Sequence, residues 1–384
     1  MKEIDLVQNH KHIVFCIEHY NPLGVVRTLG ENGVQPELIV IRSSRKLTSE
    51  SKYAKICHFV GSIEEGYKFL LETYGHEDCK PFIYTADDQI TNFLDSKFDE
   101  LSDRFYFYNA GKTGRVAEFQ NKDNILKLAQ KHGLQYLKTF AVNVGEIPEG
   151  LEYPIITKAI ISTIDNWKGD MIICRNEAEL REAYKKIRSP RVLLQKYIEK
   201  KNELCLEGVS VNKGNNVLIS IASSYNYLLE DSYSPYMTVQ NLHNESVERS
   251  LKNMLKEIQF EGIFEVEFLV NQDDQLYFLE INFRNSTWSY ASTVAGMPLP
   301  VLWAKGMLDP SVMDSAYRTI DSPFTAMVEF DDFVKRVKRH RVTIWRWISD
   351  CKKCKCRYYL GRNDSKPFFS MLNSIVKSKF RKRK

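Results

Sequence analysis

No run of about 18 apolar residues interrupts the 384-residue chain, so nothing in it reads as a membrane span. The opening MKEIDLVQNHKH also lacks the apolar stretch of a signal peptide, and a cytoplasmic protein is expected. Paired cysteines are missing as well. Cys16, Cys57, Cys174 and Cys205 stand singly in strand-like or helical sequence, which fits reduced, packed thiols better than a disulfide framework. Two nucleotide motifs are absent. The loop after the first apolar run, EHYNPLGVV, has no G-x-G-x-x-G, and NAGKTG (109–114) carries Tyr106 where a phosphate loop needs glycine. Acidic residues, finally, almost vanish toward the C-terminus. Residues 333–384 hold 18 Lys and Arg against Asp350 and Asp364 alone, a balance of +16, whereas residues 1–332 hold 36 basic and 47 acidic residues, a balance of −11. An acidic body with a basic tail points to an anionic surface as a partner of the tail, whether membrane, nucleic acid or polysaccharide.

What is present reads as two or three domains, at about 100 to 200 residues each. The apolar runs at 12–18, 37–43, 56–61 and 80–86 alternate with helical spacing such as Ile63, Tyr67, Leu70, Leu71 and Tyr74. That alternation predicts a Rossmann-like parallel sheet over the first 110 or so residues. A helix is expected from Lys122 to His132, stopped by Gly133. Strands are expected at 153–161, around Lys158, at 192–199, and at 203–222 with a turn at Lys213 to Asn216.

FLEINFRNSTWS (278–289) spaces Glu280, Asn282 and Arg284 two apart, so in an extended strand all three project from one face. The preceding GIFEVEFLVNQDDQLYF reads as a hairpin with its tip at Asp273 and Asp274. Symmetric folding about that tip sets Glu267 opposite Glu280 and Glu265 opposite Asn282. Val266, Phe268, Val270, Tyr277, Leu279 and Ile281 are then expected to share the core face. Carboxylates placed directly opposite each other repel unless a cation lies between them. Magnesium suits the arrangement, because it takes hard oxygen ligands and commonly uses one or two carboxylates plus phosphates. A solvated hairpin face is the alternative reading of the same residues.

In order along residues 12 to 310, these segments resemble the ATP-grasp superfamily of ligases. The resemblance rests on Glu267, Glu280, Asn282 and Arg284, an acid followed thirteen positions later by Glu-x-Asn-x-Arg, with Phe283 where the family often has proline. It implies an α/β and α+β fold. A Rossmann-like pre-ATP-grasp domain (1–111) would precede an ATP-grasp domain (112–310, subdomains about 112–190 and 191–310) with antiparallel sheets, followed by a basic helical extension (311–384). It also implies ATP with Mg2+ or Mn2+ as cofactors, with Glu267, Glu280 and Asn282 holding the metal. Lys122 in NKDNILKLAQKHGL and Lys158 in YPIITK would reach phosphates. LLQKYIE would be the hinge, with Gln195 and the backbone of Lys196, Tyr197 and Ile198 at the adenine edge, and Glu203 on the ribose. Arg284 and Lys168, the latter in the loop ISTIDNWKGD, would act on the reacting groups. Two departures stand out: that loop has one glycine where the family is glycine-rich, and the hinge lacks its usual glycine.

Within the superfamily the layout is similar to the D-aspartate ligase group and to carbamoyl-phosphate-synthase-like carboxylate-amine ligases. The activity so implied is phosphorylation of a small carboxylate by ATP and capture of the acyl phosphate by an amine, with cell-envelope or capsule precursors as a setting. The rivals are a carbamoyl-phosphate-type enzyme acting on bicarbonate, and a non-catalytic ATP-binding or nucleic-acid-binding factor, although nucleic acid is the less expected partner.

The tail SKPFFSMLNSIVKSKFRKRK repeats Phe368, Met371, Leu372, Ile375 and Val376 at helical spacing, with six Lys or Arg in its last eight residues. It reads either as a basic amphipathic helix lying on an anionic bilayer, at the inner face of the membrane, or as a packed helix with a charged end. CKKCKC (351–356) offers three thiols, and only His340 nearby could supply the fourth ligand of a zinc site, so surface thiols are the expectation.

Overall fold

The computed structural model describes residues 5–44, 46–160, 170–229 and 233–381. Strands β1 (His12–Ile17), β2 (Glu37–Ile41), β3 (Ile56–Val60) and β4 (Phe82–Tyr84) form a parallel sheet in the order β3-β2-β1-β4. β1 and β2 are covered on both faces, which is why HIVFCI and ELIVI are near-continuous apolar runs. Helices Tyr20–Glu31 and Ile63–Tyr74 supply the crossovers. The second begins where the Ser62 side chain accepts from the Glu65 amide, which satisfies an orphan donor of the first turn. The expected Rossmann-like unit is present.

A second, antiparallel sheet holds β5 (Thr139–Asn143), β6 (Ile155–Ala159), β7 (Ile173–Cys174) and β8 (Arg191–Lys196) in the order β5-β8-β6-β7. Val142, Ile155, Val192 and Leu194 pack against Leu180 of helix Glu177–Tyr184 to give this small sheet a core of its own. The third sheet has seven strands: β9 (Asn202–Val211), β10 (Asn216–Tyr225), β11 (Tyr236–Gln240), β12 (Gly262–Val270), β13 (Leu276–Asn282), β14 (Phe324–Met327) and β15 (Cys356–Arg357). Their order is β13-β12-β9-β10-β11-β14-β15. All neighbours are antiparallel except β14 and β15.

The β12–β13 hairpin keeps the expected register at its functional end, Glu265 opposite Asn282 and Glu267 opposite Glu280. Toward the tip it departs. Leu279 is an extra residue in β13, so Phe268 faces Phe278 instead of Leu279. The bulge turns Phe278 into the core, edge-on to Phe268 at 5.9 Å, and leaves Tyr277 and Leu279 half-buried. Val270 near the tip is half-buried as well, so Val266, Phe268 and Ile281 of the six expected residues lie in the core and Phe278 joins them.

The C-terminal region is helical over Ile344–Lys353 and Lys366–Arg381, and it also contributes β14 and β15 to the large sheet. Its cysteines are not surface thiols. Cys354 and Cys356 are buried, Cys354 Sγ lies 3.1 Å from the Thr325 carbonyl, and burial pushes the Cys351 and Cys354 thiols up to about 12. Inert core thiols are the physical description. Among the described residues no helix is long and apolar enough to cross a membrane.

Candidate functional site

The site grows from the open end of the β12–β13 hairpin. Register pairing puts Glu267 and Glu280 on one face, side by side with Glu265 and Asn282. The Asn282 Nδ2 amide donates to Glu265 Oε2 at 3.0 Å and to Glu267 Oε1 at 3.1 Å. Lys122 reaches this face from the first turn of helix Lys122–Lys131, whose start is fixed by Asn121 Oδ1 accepting from the Asp123 and Asn124 amides. Its Nζ lies 2.9 Å from Glu280 Oε2. That pairing is the main reason the Glu280 carboxyl sits below the usual range. Burial works against the Lys122 ammonium, and Glu280 more than offsets it. Glu267 is pushed well up, by burial first and then by Glu280 and Glu265 beside it. Crowding and burial on this face thus favour a proton on Glu267.

From the small sheet, Lys158 of β6 points into the same space and donates to Gln195 Oε1 at 2.7 Å. Gln195 in turn donates to Thr139 Oγ1 at 3.0 Å. Burial, with Lys122 nearby, lowers the Lys158 pKa to about 8. A buried lysine held beside a second lysine is a site waiting for an anion. At the end of β8 the Lys196 and Tyr197 amides donate to the Lys138 and Pro154 carbonyls, at 2.9 Å each, so the turn to β9 is fixed by backbone bonds. Ile198 follows in that turn, half-buried. Glu203, near the start of β9, is 2.5 Å from Lys200 Nζ. Lys168 lies outside the described residues.

Arg284 links this face to the segment that follows the parallel sheet. Its Nε and Nη2 donate to Asp88 Oδ1 and Oδ2 at 2.7 and 2.9 Å, a two-bond fork. Asp88 opens helix Asp88–Asp95, and beside it the Asn285 amide donates to the Thr85 carbonyl at 3.3 Å. Sequence reasoning did not pair Asp88 with Arg284. It missed Glu207 altogether. That residue is fully buried on β9, opposite Glu265, and accepts from Ser289 Oγ at 2.6 Å and from Ser286 Oγ at 2.5 Å. Burial pushes both carboxyls up. The legible signal was an acid inside the otherwise apolar run Leu204 to Val209.

Among the described residues no group of three or more His, Cys, Asp or Glu is placed to hold a metal ion by itself. Glu267, Glu280 and Asn282 form an open set of hard oxygen donors, of the kind that holds Mg2+ when phosphate oxygens complete the shell. Carboxylates crowded on one face suit a cation there, which would offset their mutual repulsion in place of a proton.

Residues 128–288 match the family model of the ATP-grasp domain. That matched span is what the chain shares with the family. Within it lie Lys158, the β8–β9 turn and the whole carboxylate hairpin, while Lys122 stands just before the matched span. The N5-carboxyaminoimidazole ribonucleotide synthase of Staphylococcus aureus (strain COL) is 27% identical over 147 residues, 37% of each chain. The protein thus spans little more than a third of the length of that relative. Among solved structures, the N5-carboxyaminoimidazole synthetase from Staphylococcus aureus complexed with ADP superposes with a TM-score of 0.64 at 17% identity, over 86% of this chain and 85% of that one. An L-amino acid ligase from Bacillus licheniformis gives 0.62 at 13% identity, over 83% and 80%. Those likenesses establish a shared fold.

Proposed function

We propose that the protein is an ATP- and magnesium-dependent carboxylate-amine ligase, with manganese able to replace magnesium. The observation that carries the reading is the pairing of Glu267 with Glu280 on one face, with Lys122 and Lys158 brought to it from a helix and from a second sheet. Two ammonium groups and a cation between carboxylates are what a triphosphate requires. The ADP complex of the similar synthetase supports the assignment of nucleotide to this cleft.

In the proposed reaction a carboxylate oxygen of the substrate attacks the γ-phosphorus, and the bond to the ADP oxygen breaks. An amine then attacks the acyl carbon and inorganic phosphate leaves. Lys158 and Lys122 hold phosphate oxygens, and Gln195 steers Lys158. The β8–β9 turn at Lys196 to Ile198 receives the adenine and Glu203 the ribose. Arg284, fixed by Asp88, faces the oxyanion that develops on the acyl group, and Lys168 is assigned to the same reacting groups. A magnesium ion on Glu267, Glu280 and Asn282 would supply charge neutralisation between phosphate oxygens. The units implied by this reading are 1–111, 112–310 and 311–384, in a cytoplasmic protein.

Incubation with ATP, Mg2+ and a panel of small carboxylates and amines tests the reading through amine-stimulated ADP release. ADP release that depends on bicarbonate and ignores the carboxylates would favour the second reading, a carbamoyl-phosphate-type activity, which the likeness to a carboxyaminoimidazole synthase recommends. ATP binding without turnover would reduce the protein to a nucleotide-binding factor. Cell-envelope or capsule precursors, with a membrane-bound acceptor, would give the basic tail a use.

A further inference from the structure

The last 52 residues contain two acids, and the structure turns both inward. Asp350 is buried, paired with Arg336 at 2.9 Å and with Arg346 at 3.2 Å. Asp364 is buried against Arg27 at 3.0 Å and accepts from Ser51 Oγ at 2.7 Å. The outer surface of residues 333–376 therefore presents cations with no exposed carboxylate among them. Lys338, Arg341, Arg346, Lys352 and Lys353 are all exposed.

Helix Ile344–Lys353 has its inner face fixed. Trp347 packs edge-on against Phe333 at 5.2 Å and donates its indole N–H to Asp332 at 3.0 Å, and Asp350 follows one turn later. The opposite face carries Trp345, 78% exposed, with Ile344 beside it at 40%. Lys352 falls two turns along from Trp345 on that same face. The C-terminal helix repeats the pattern: Phe368 stacks on Phe330 at 5.2 Å, while Phe369, Leu372 and Val376 are exposed. Both helices thus dock on the segment Phe330 to Phe333, each packing one half-buried aromatic there and leaving another exposed. A Trp left in water on a helix surrounded by cations is costly unless an interface takes it up. Indole prefers the headgroup level of a bilayer, and Lys and Arg prefer its anionic surface.

We propose that residues 333–376 form a docking surface for an anionic lipid bilayer, with Trp345 as the inserted anchor and helix Ile344–Lys353 lying in the interface. Charge alone would suit a nucleic acid equally, but exposed Ile344, Trp345, Phe369 and Leu372 demand an apolar phase that a phosphate backbone does not provide. The surface is separate from the nucleotide cleft and does not depend on the ligase reading.

The test is flotation of the full chain, without ATP, on vesicles of phosphatidylcholine alone and of phosphatidylcholine with phosphatidylglycerol. The protein is expected to float with the anionic vesicles only, and Trp345→Ser, with the tail intact, to weaken binding by about tenfold. Raising the salt should weaken it further. Brominated lipids give a second measurement, since they should quench tryptophan emission of the intact protein and quench it less in Trp345→Ser. Equal flotation on both vesicle types, binding unchanged by Trp345→Ser, or tighter binding to a duplex DNA probe than to the anionic vesicles would each overturn the proposal.

Discussion

Single residues at the cleft carry distinct and separable loads. Glu280 faces Glu267 in register and is paired with Lys122, so Glu280→Gln leaves the strand intact and removes one of two carboxylates from the cation site. A loss of about 100-fold to 1000-fold in ADP release is expected, with an unchanged circular dichroism spectrum. Lys158 behaves differently. Its pKa of about 8 means that it is charged below that pH and neutral above it, and a triphosphate needs the charged form. ATP affinity should therefore be greatest below about pH 8 and fall as pH rises past it. Titration of ATP binding across that range measures this, and Lys158→Arg should bind without the pH dependence, because a guanidinium keeps its proton. The spacing of Glu267, Glu280 and Asn282 was readable in the sequence, because strand alternation alone fixes their common face. Glu207 and the Asp88 partner of Arg284 were not, because each depends on a neighbour brought in from a distant segment.

At the level of elements, the sheets were legible where apolar runs were long and less so where they were short. β1, β2, β3, β4 and β6 fall within their expected runs, β8 and β9 each begin one residue early, and β10 runs three residues past its expected end. β5, β7, β14 and β15 did not stand out: two are only two residues long, and β14 is defined by its neighbours more than by its own apolar pattern. The Leu279 bulge was equally hidden, since a symmetric hairpin satisfies the same hydrophobic pattern until the packing of Phe278 breaks the tie. β9 illustrates how tightly the elements under the site are packed. A Cβ on Gly208 would meet Phe264 Cζ at 2.3 Å and the Leu218 carbonyl at 2.5 Å, next to Glu207. Gly208→Ala is expected to cost about 1 to 3 kcal/mol, read as a lowered urea midpoint.

Across the whole molecule, the C-terminal region closes the structure instead of trailing from it. Arg27 of the first domain is fully buried, ion-paired to Asp364, and donates to the Tyr358 and Tyr359 carbonyls at 2.6 and 2.9 Å. Asp364→Ala would strand that guanidinium in the interior and is expected to cost about 3 to 5 kcal/mol in thermal or urea unfolding. The basic composition of the tail was visible in the sequence, but its anchoring was not, because Arg27 and Asp364 are separated by most of the chain. The central claim is that Glu267, Glu280 and Asn282 hold a divalent cation beneath a triphosphate. Electron paramagnetic resonance of Mn2+ measures this directly. With ATP present the protein should immobilise Mn2+, and the Glu267→Gln, Glu280→Gln double variant should leave it free. Equal immobilisation by the intact and doubly substituted proteins would contradict the account.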